Sequence, residues 1–304
     1  MKAARQAVQY AAEQLGFSAL GVASACADQG DTLSHWLRDG CHADMHWLER
    51  HLPMRQNPAL LLPGVQSVIM LTYEYPRQDA RCAPGSVARY AQGEDYHKLL
   101  APKLADLDET LQLYGGNQKC FSDSGPVSER FFAAAAGLGW IGRHGLLVRP
   151  RGGSFCFLSC ILTTLPLPTD SPVRNRCGSC HRCEQACPTH ALQNGRCDAR
   201  LCLAYWTIES KQTTAPPEIQ EALQGHLYGC DACQEACPWN SLPSRHAVDP
   251  HLLMPARLAA MPQETLADLP EDGWTHLIAN SPMRRTGSAH LRRNIHRFSN
   301  PSPS

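Results

Sequence analysis

Two cysteine runs, Cys177-x2-Cys180-x2-Cys183-x3-Cys187-Pro188 and Cys230-x2-Cys233-x3-Cys237-Pro238, offer this chain's most legible chemistry. The spacing is that of paired 4Fe-4S clusters: three closely spaced thiolates grip one cluster, and the cysteine before proline reaches across to the other. On that pattern Cys177, Cys180, Cys183 and Cys237 hold the first cluster. Cys187, Cys230 and Cys233 hold the second, which still lacks a ligand. The candidates are Cys197 and Cys202. Cys202 is favoured because residues 198–209 read as helical and a helix fixes a thiolate at one depth, whereas Cys197 sits in the turn near Gly195. Zinc ribbons also use Cys-x2-Cys pairs, but they draw four ligands from two pairs, and here the first run alone supplies four. A disulfide framework is disfavoured, since charged and amide side chains interrupt residues 1–10 before a secretory signal can form. The expected location is cytoplasmic.

The clusters use eight of fifteen cysteines, and the other seven (Cys26, Cys41, Cys82, Cys120, Cys156, Cys160, Cys197) read mostly as small buried hydrophobes. With 28 basic and 28 acidic residues among 304, a uniform basic coat is excluded, although a local patch is not. No run of 18 apolar residues is present, so no helical membrane span is expected.

A cluster pair alone needs only about 55–60 residues, so the longer segment before it should house the reaction. Residues 3–15 suit a helix, 19–23 a short strand, and 65–73, after Pro63-Gly64, a buried strand. Leucines recur at helical spacing over 99–113, and a helix opens at Ser128. Strand character returns at 145–149 and 154–163 around Pro150-Arg-Gly-Gly153. The expectation is an α+β or α/β fold in three parts: a layered α/β domain over 1–165, a bacterial-ferredoxin-like domain over 166–245 entered through a proline-rich stretch, and a helical, basic segment over 246–304. Neither a Gly-x-Gly-x-x-Gly fingerprint nor a Walker loop occurs, which argues against a Rossmann enzyme.

An ordered set of further motifs resembles the epoxyqueuosine reductases: Ser122-Asp-Ser-Gly-Pro-Val-Ser-Glu-Arg130, Ala136-Gly-Leu-Gly-Trp-Ile-Gly-Arg-His144, Arg89-Tyr-Ala-Gln-Gly-Glu-Asp-Tyr-His-Lys98, Gly152-Gly-Ser-Phe155, Leu203-Ala-Tyr-Trp-Thr-Ile-Glu209 and Tyr228-Gly-Cys-Asp-Ala-Cys-Gln-Glu-Ala-Cys-Pro-Trp-Asn240. The match covers nearly the whole chain. It implies an oxidoreductase in which the N-terminal domain holds cobalamin and two 4Fe-4S clusters feed it electrons from an external donor. The implied substrate is epoxyqueuosine at the wobble position of tRNA, the product is queuosine, and the enzyme acts as a monomer away from membranes. A cobalamin reductase of the reductive-dehalogenase type and a ferredoxin-type carrier are the alternatives.

The resemblance makes Asp123 the proton donor to the leaving oxygen, and such an acid needs a raised pKa. Asp95-Tyr-His-Lys-Leu-Leu100 begins like a histidine-ligating cobalamin motif but lacks its glycine, so base-off cobalamin without histidine ligation is expected. Tyr96 and His97 are then pocket residues. Arg55, Glu129, Arg130, Trp140, His144 and Ser154 complete the implied cofactor contacts, and Asn57 stands where the family commonly has aspartate. Arg284, Arg285, Arg292, Arg293 and Arg297, with His290 and His296, form a basic tail suited to phosphates. Many family members continue into a longer helical region, whereas this sequence ends at Ser304.

Overall fold

The computed structural model describes residues 1–77, 86–223, 225–242, 246, 249–255, 261 and 263–299. In chain order, the first part comprises α1 (Lys2–Gln14), β1 (Ala19–Ser24), α2 (Thr32–Arg38), α3 (Trp47–Arg50), α4 (Leu52–Gln56), β2 (Ser67–Glu74), β3 (Ser86–Val87) and α5 (Tyr96–Gln112). It continues through β4 (Gln118–Phe121), α6 (Glu129–Ala135), β5 (Trp140–Ile141), β6 (Leu147–Val148) and β7 (Cys156–Thr163). Four strands form a sheet in the order β1-β2-β7-β4, and every pairing in it is antiparallel.

Helices cover both faces of this sheet. In α1 the small residues Ala4, Val8 and Ala12 recur every four positions and are buried. With Leu100, Leu104, Leu107 and Leu111 of α5 they pack on the face bearing Ile69 and Leu71. Val68 and Met70 point the other way, onto Phe132 and Ala133 of α6. Two-sided cover buries all eight residues of β2, which is why Val68 to Leu71 at its centre are an unbroken apolar run. Gly21 lets α6 approach β1: a Cβ there would stand 2.2 Å from the Ala136 carbonyl oxygen.

The cysteine-rich region is built from short pieces: α7 (Arg182–Gln185), β8 (Leu192–Gln193), β9 (Arg196–Cys197), α8 (Leu203–Ile208), α9 (Pro217–Gln220), β10 (His226–Tyr228) and α10 (Ala232–Glu235). Polar bonds weld it to the sheet. Gly153 sits at φ +58° with Asn240 Oδ1 where a Cβ would be, the Ser154 N–H donates to that oxygen at 2.7 Å, and Ser154 Oγ donates to Gln234 Oε1 at 3.0 Å. Buried Arg89 pairs with Glu235 at 2.6 Å and with Asp231 at 3.7 Å. β3 pairs in parallel with β10, and the C-terminal helix Ser288–Ser299 buries Leu291 and Ile295 in one core with Val87, Leu227 and Tyr228. No described helix is long and apolar enough to cross a membrane. Cys82 and the side chains of His296 and Arg297 lie outside the described residues.

Candidate functional site

Asp123 follows β4 in a loop and adopts φ +56°, the left-handed region that aspartate tolerates better than most residues. Four hydrogen bonds hold it and its loop. The Tyr96 hydroxyl donates to Asp123 Oδ2 at 2.8 Å. The Asp123 N–H donates to Glu129 Oε1 at 2.9 Å, from the first turn of α6. Arg55 Nη1 donates to the Val127 carbonyl at 2.9 Å, and the Arg55 carbonyl accepts from Ser128 Oγ at 3.2 Å. Ser128 therefore occupies the N-cap position without capping through its side chain, and ties α6 to α4 instead.

The electrostatics follow from this packing. Burial, and then the neighbouring Asp123 carboxylate, push Tyr96 well above the ordinary phenol range, so its hydroxyl stays a neutral donor. Burial and Asp123 together raise the Glu129 carboxyl to about 8. Burial lowers the Arg55 guanidinium from its usual value, and Glu129 and Asp123 oppose that shift. Tyr96 is fixed by stacking on Phe157, with centroids 4.1 Å apart and planes 12° off parallel. His97 Nδ1 is bonded to Asp95 Oδ1 at 2.7 Å, and the Asp95 side chain also accepts the His97 N–H as the N-cap of α5. Asn57 accepts from the Ala59 N–H at 3.1 Å, the capping role an aspartate would play.

A second group of donors is unmatched. Arg55 Nε, Arg143 Nε and His144 Nε2 are buried without a hydrogen-bond partner among the described residues. Burial drops the His144 pKa to about 4, so its ring is neutral. His144 Nδ1 accepts the Leu146 N–H at 3.2 Å, which leaves the proton on Nε2 as an idle donor. Of these three, Arg143 lines a groove of about 410 Å³ with Ile141, Gly142, Asn175, Cys177, Gly178 and Gly195. Idle N–H donors suit an acceptor-rich guest such as the amide-fringed corrin of cobalamin, and a protonated Nε2 does not suit ligation of its metal. Arg130 instead donates to the Gly145 carbonyl at 2.7 Å. Arg143 lies within the Ala136–His144 motif without being singled out by it, and Asn175 carries no motif signal.

The thiols gather into two sets. Cys237 lies within electrostatic reach of Cys177, Cys180 and Cys183, and the Trp140 indole N–H donates to Cys177 Sγ at 3.4 Å while its ring meets Trp239 edge-on. Cys187, Cys202, Cys230 and Cys233 interact with one another, and Cys197 joins them through a bond to Cys202. Residues 198–209 are not one helix. A 3-10 turn, Ala199–Leu201, precedes extended Cys202 (φ −77°, ψ 124°), which is the N-cap of α8. The hydrogen bond with Cys197 lowers the Cys202 pKa, and against burial the Tyr205 and Ala204 N–H groups add to it, favouring its thiolate over that of Cys197.

The basic tail is largely engaged within the fold. Arg285 clasps both oxygens of Glu209 at 2.5 Å, Arg292 donates to the Leu269 carbonyl at 2.8 Å, and Arg293 donates to the Ser210, Gln212 and Trp206 carbonyls at 2.7–3.0 Å. These arginines knit the C-terminal helices to the α8 region, and Arg284 remains exposed.

Comparison with known proteins bears on this arrangement. The family model described as epoxyqueuosine reductase QueG, DUF1730, matches residues 55–124, and a 4Fe-4S double cluster binding domain matches residues 176–240. An epoxyqueuosine reductase of Xanthomonas campestris pv. campestris is 37% identical over 299 residues, covering 93% of this chain and 83% of the relative. One from Vibrio cholerae serotype O1 is 37% identical over 304 residues, covering 96% and 81%. Among solved structures, an epoxyqueuosine reductase with a tRNA-Tyr epoxyqueuosine-modified stem loop superposes with a TM-score of 0.88 at 25% identity, covering 98% of this chain and 80% of that one. The Bacillus subtilis enzyme, its catalytic aspartate loop swung out of the active site, gives 0.87 at 26% identity, covering 98% and 81%.

Proposed function

This chain belongs to the epoxyqueuosine reductase family, and from that premise we propose that it reduces epoxyqueuosine to queuosine at the wobble position of tRNA in the cytoplasm, with Asp123 as the acid. The observation that carries the reading is the left-handed Asp123, its carboxylate held by Tyr96 and its N–H by Glu129, within electrostatic reach of Arg55, whose buried Nε is an unmatched donor. Two electrons and two protons turn an epoxide into an alkene and water. Bound cobalamin supplies a low-valent nucleophilic cobalt for that reduction, and the two 4Fe-4S clusters supply its electrons one at a time.

The chain's own residues do the rest. Asp123 delivers a proton to the departing oxygen, which is otherwise a poor leaving group. Tyr96 orients the acid, and Glu129 fixes its backbone. Arg55, His144 and Arg143 hold the acceptor groups of the cofactor. His97 is tied to Asp95 through Nδ1, and we assign it to the pocket wall, where cobalamin would bind in its base-off form. Trp140 and Ser154 serve the cluster side: one donates to the Cys177 sulfur, and the other anchors Gln234 and Asn240. The first cluster takes Cys177, Cys180, Cys183 and Cys237, and the second takes Cys187, Cys202, Cys230 and Cys233. We assign residues 1–165 to cofactor and substrate, 166–245 to the clusters and 246–304 to a helical brace, in a protein that acts as a monomer with an external electron donor.

Anaerobic incubation with epoxyqueuosine-containing tRNA, cobalamin and a reductant, followed by nucleoside mass spectrometry, tests the proposal. The expected product has lost one oxygen, and an unchanged nucleoside from protein replete in iron and cobalamin overturns it.

A further inference from the structure

We propose that His42, His46 and Glu49 form a binding site for a divalent ion of the zinc class, separate from the cluster thiols and from the Asp123 site. The three stand at i, i+4 and i+7 along the turns that lead into α3. The Glu49 carboxylate lies between the two imidazoles, with Oε1 3.2 Å from His42 Nε2 and Oε2 3.4 Å from His46 Nδ1. One donor atom from each residue falls within 4.8 Å of the others. A tetrahedral zinc with bonds of about 2.0–2.1 Å sets neighbouring donors about 3.4 Å apart, so little movement separates this arrangement from a coordinated one. His46 and Glu49 are exposed enough to make it.

Burial and donor chemistry point the same way. His42 is only 4% exposed, yet its Nδ1 has no hydrogen-bond partner among the described residues. A metal–nitrogen bond at Nε2 would replace the single contact to Glu49 while Nδ1 stayed unpaired, so the site rests on the placement of the three donor atoms. Two imidazoles and a carboxylate suit zinc and its neighbours, whereas calcium and magnesium prefer oxygen-rich shells. The remaining coordination positions go to water. Zinc binds the neutral imidazole through Nε2 with the ring proton on Nδ1, and the step involves no redox change.

The location gives the ion a structural task. The same turn holds the segment that carries Cys197 and Cys202: the Ala199 N–H donates to the Cys41 carbonyl at 2.8 Å, the Tyr205 hydroxyl to Asp44 Oδ2 at 2.8 Å, and the Trp36 indole to the Cys197 carbonyl at 2.6 Å. An ion joining His42 to Glu49 stiffens that clasp.

The test uses the full, cluster-loaded chain, purified anaerobically, incubated with zinc sulfate and dialysed, with zinc and iron measured by mass spectrometry on the same sample. Wild type should retain about one zinc per chain, and H46A and E49Q at least tenfold less, all with unchanged iron. Zinc should raise the thermal midpoint of wild type and not of the variants. Equal zinc in all three proteins, none in wild type, or zinc gained only as iron is lost would each overturn the site. Iron content and turnover report separately on the reductase assignment, so the two proposals fail independently.

Discussion

The Tyr96 hydroxyl donates to Oδ2 of Asp123 across 2.8 Å, linking the first turn of α5 to a loop residue at φ +56°. Tyr96 is itself immobilised by its stack on Phe157 of β7. Asp123 thus takes its position from the sheet and from α5 as well as from its own loop. Removing the hydroxyl alone, in Tyr96→Phe, preserves the stack. A hydrogen bond to a charged group contributes about 1.5–3 kcal/mol, so kcat should fall roughly 10- to 100-fold with little change in thermal midpoint. Unaltered kcat would remove Tyr96 from the positioning role.

Asp123→Asn keeps the shape of the side chain and removes its acidity. General acids contribute roughly 10²- to 10⁴-fold, and turnover measured by nucleoside mass spectrometry should drop by that order. Cobalamin absorbance of the purified protein should persist. Normal turnover would assign the proton to another group.

Glu129 couples stability to pH. Its carboxyl is raised from 4.5 to about 8, chiefly by burial, so the folded state holds this proton more tightly than the unfolded state. The associated stabilisation is complete below pH 4.5 and is lost as pH rises through about 8. Glu129→Gln keeps an oxygen acceptor for the Asp123 N–H but cannot titrate. Its thermal midpoint should decline less than that of wild type between pH 5 and pH 8, and parallel curves would count against a raised Glu129.

The second cluster separates Cys202 from Cys197. Cys202→Ser should cut iron from about eight to about four atoms per chain, and Cys197→Ser should leave it at about eight. Iron and sulfide analysis with EPR of the reduced proteins reads this directly. The reverse pattern would transfer the ligand to Cys197.

Arg293 braces the fold through three carbonyls. Arg293→Ala should lower stability by about 1–3 kcal/mol through unsatisfied acceptors, and tRNA affinity at fixed salt should change far less than for a phosphate contact. A large affinity loss with an unmoved thermal midpoint would restore the phosphate role.

Much of this was readable from local patterns. The stripe of Ala4, Val8 and Ala12 and the unbroken apolar run of β2 encode a helix on a doubly covered strand, because each period follows from backbone geometry. The cysteine runs are equally local, since a cluster needs its thiolates at short, fixed spacing. The arginines of the tail show the limit: charge is visible in the sequence, but that Arg293 bonds carbonyls of residues 206–212 within the fold is not.

By itself the sequence determined the two cluster motifs, the layered N-terminal part and the family, and it singled out Asp123. Only the tertiary structure decided that both spare thiols, Cys197 and Cys202, lie with the second set, that Glu129 rather than a more distant group braces Asp123, and that Arg55 bonds a carbonyl 72 residues away. A side chain's donors, its desolvation and its charged neighbours arise from contacts between segments remote in sequence, so burial and hydrogen bonding exist only once the chain has folded.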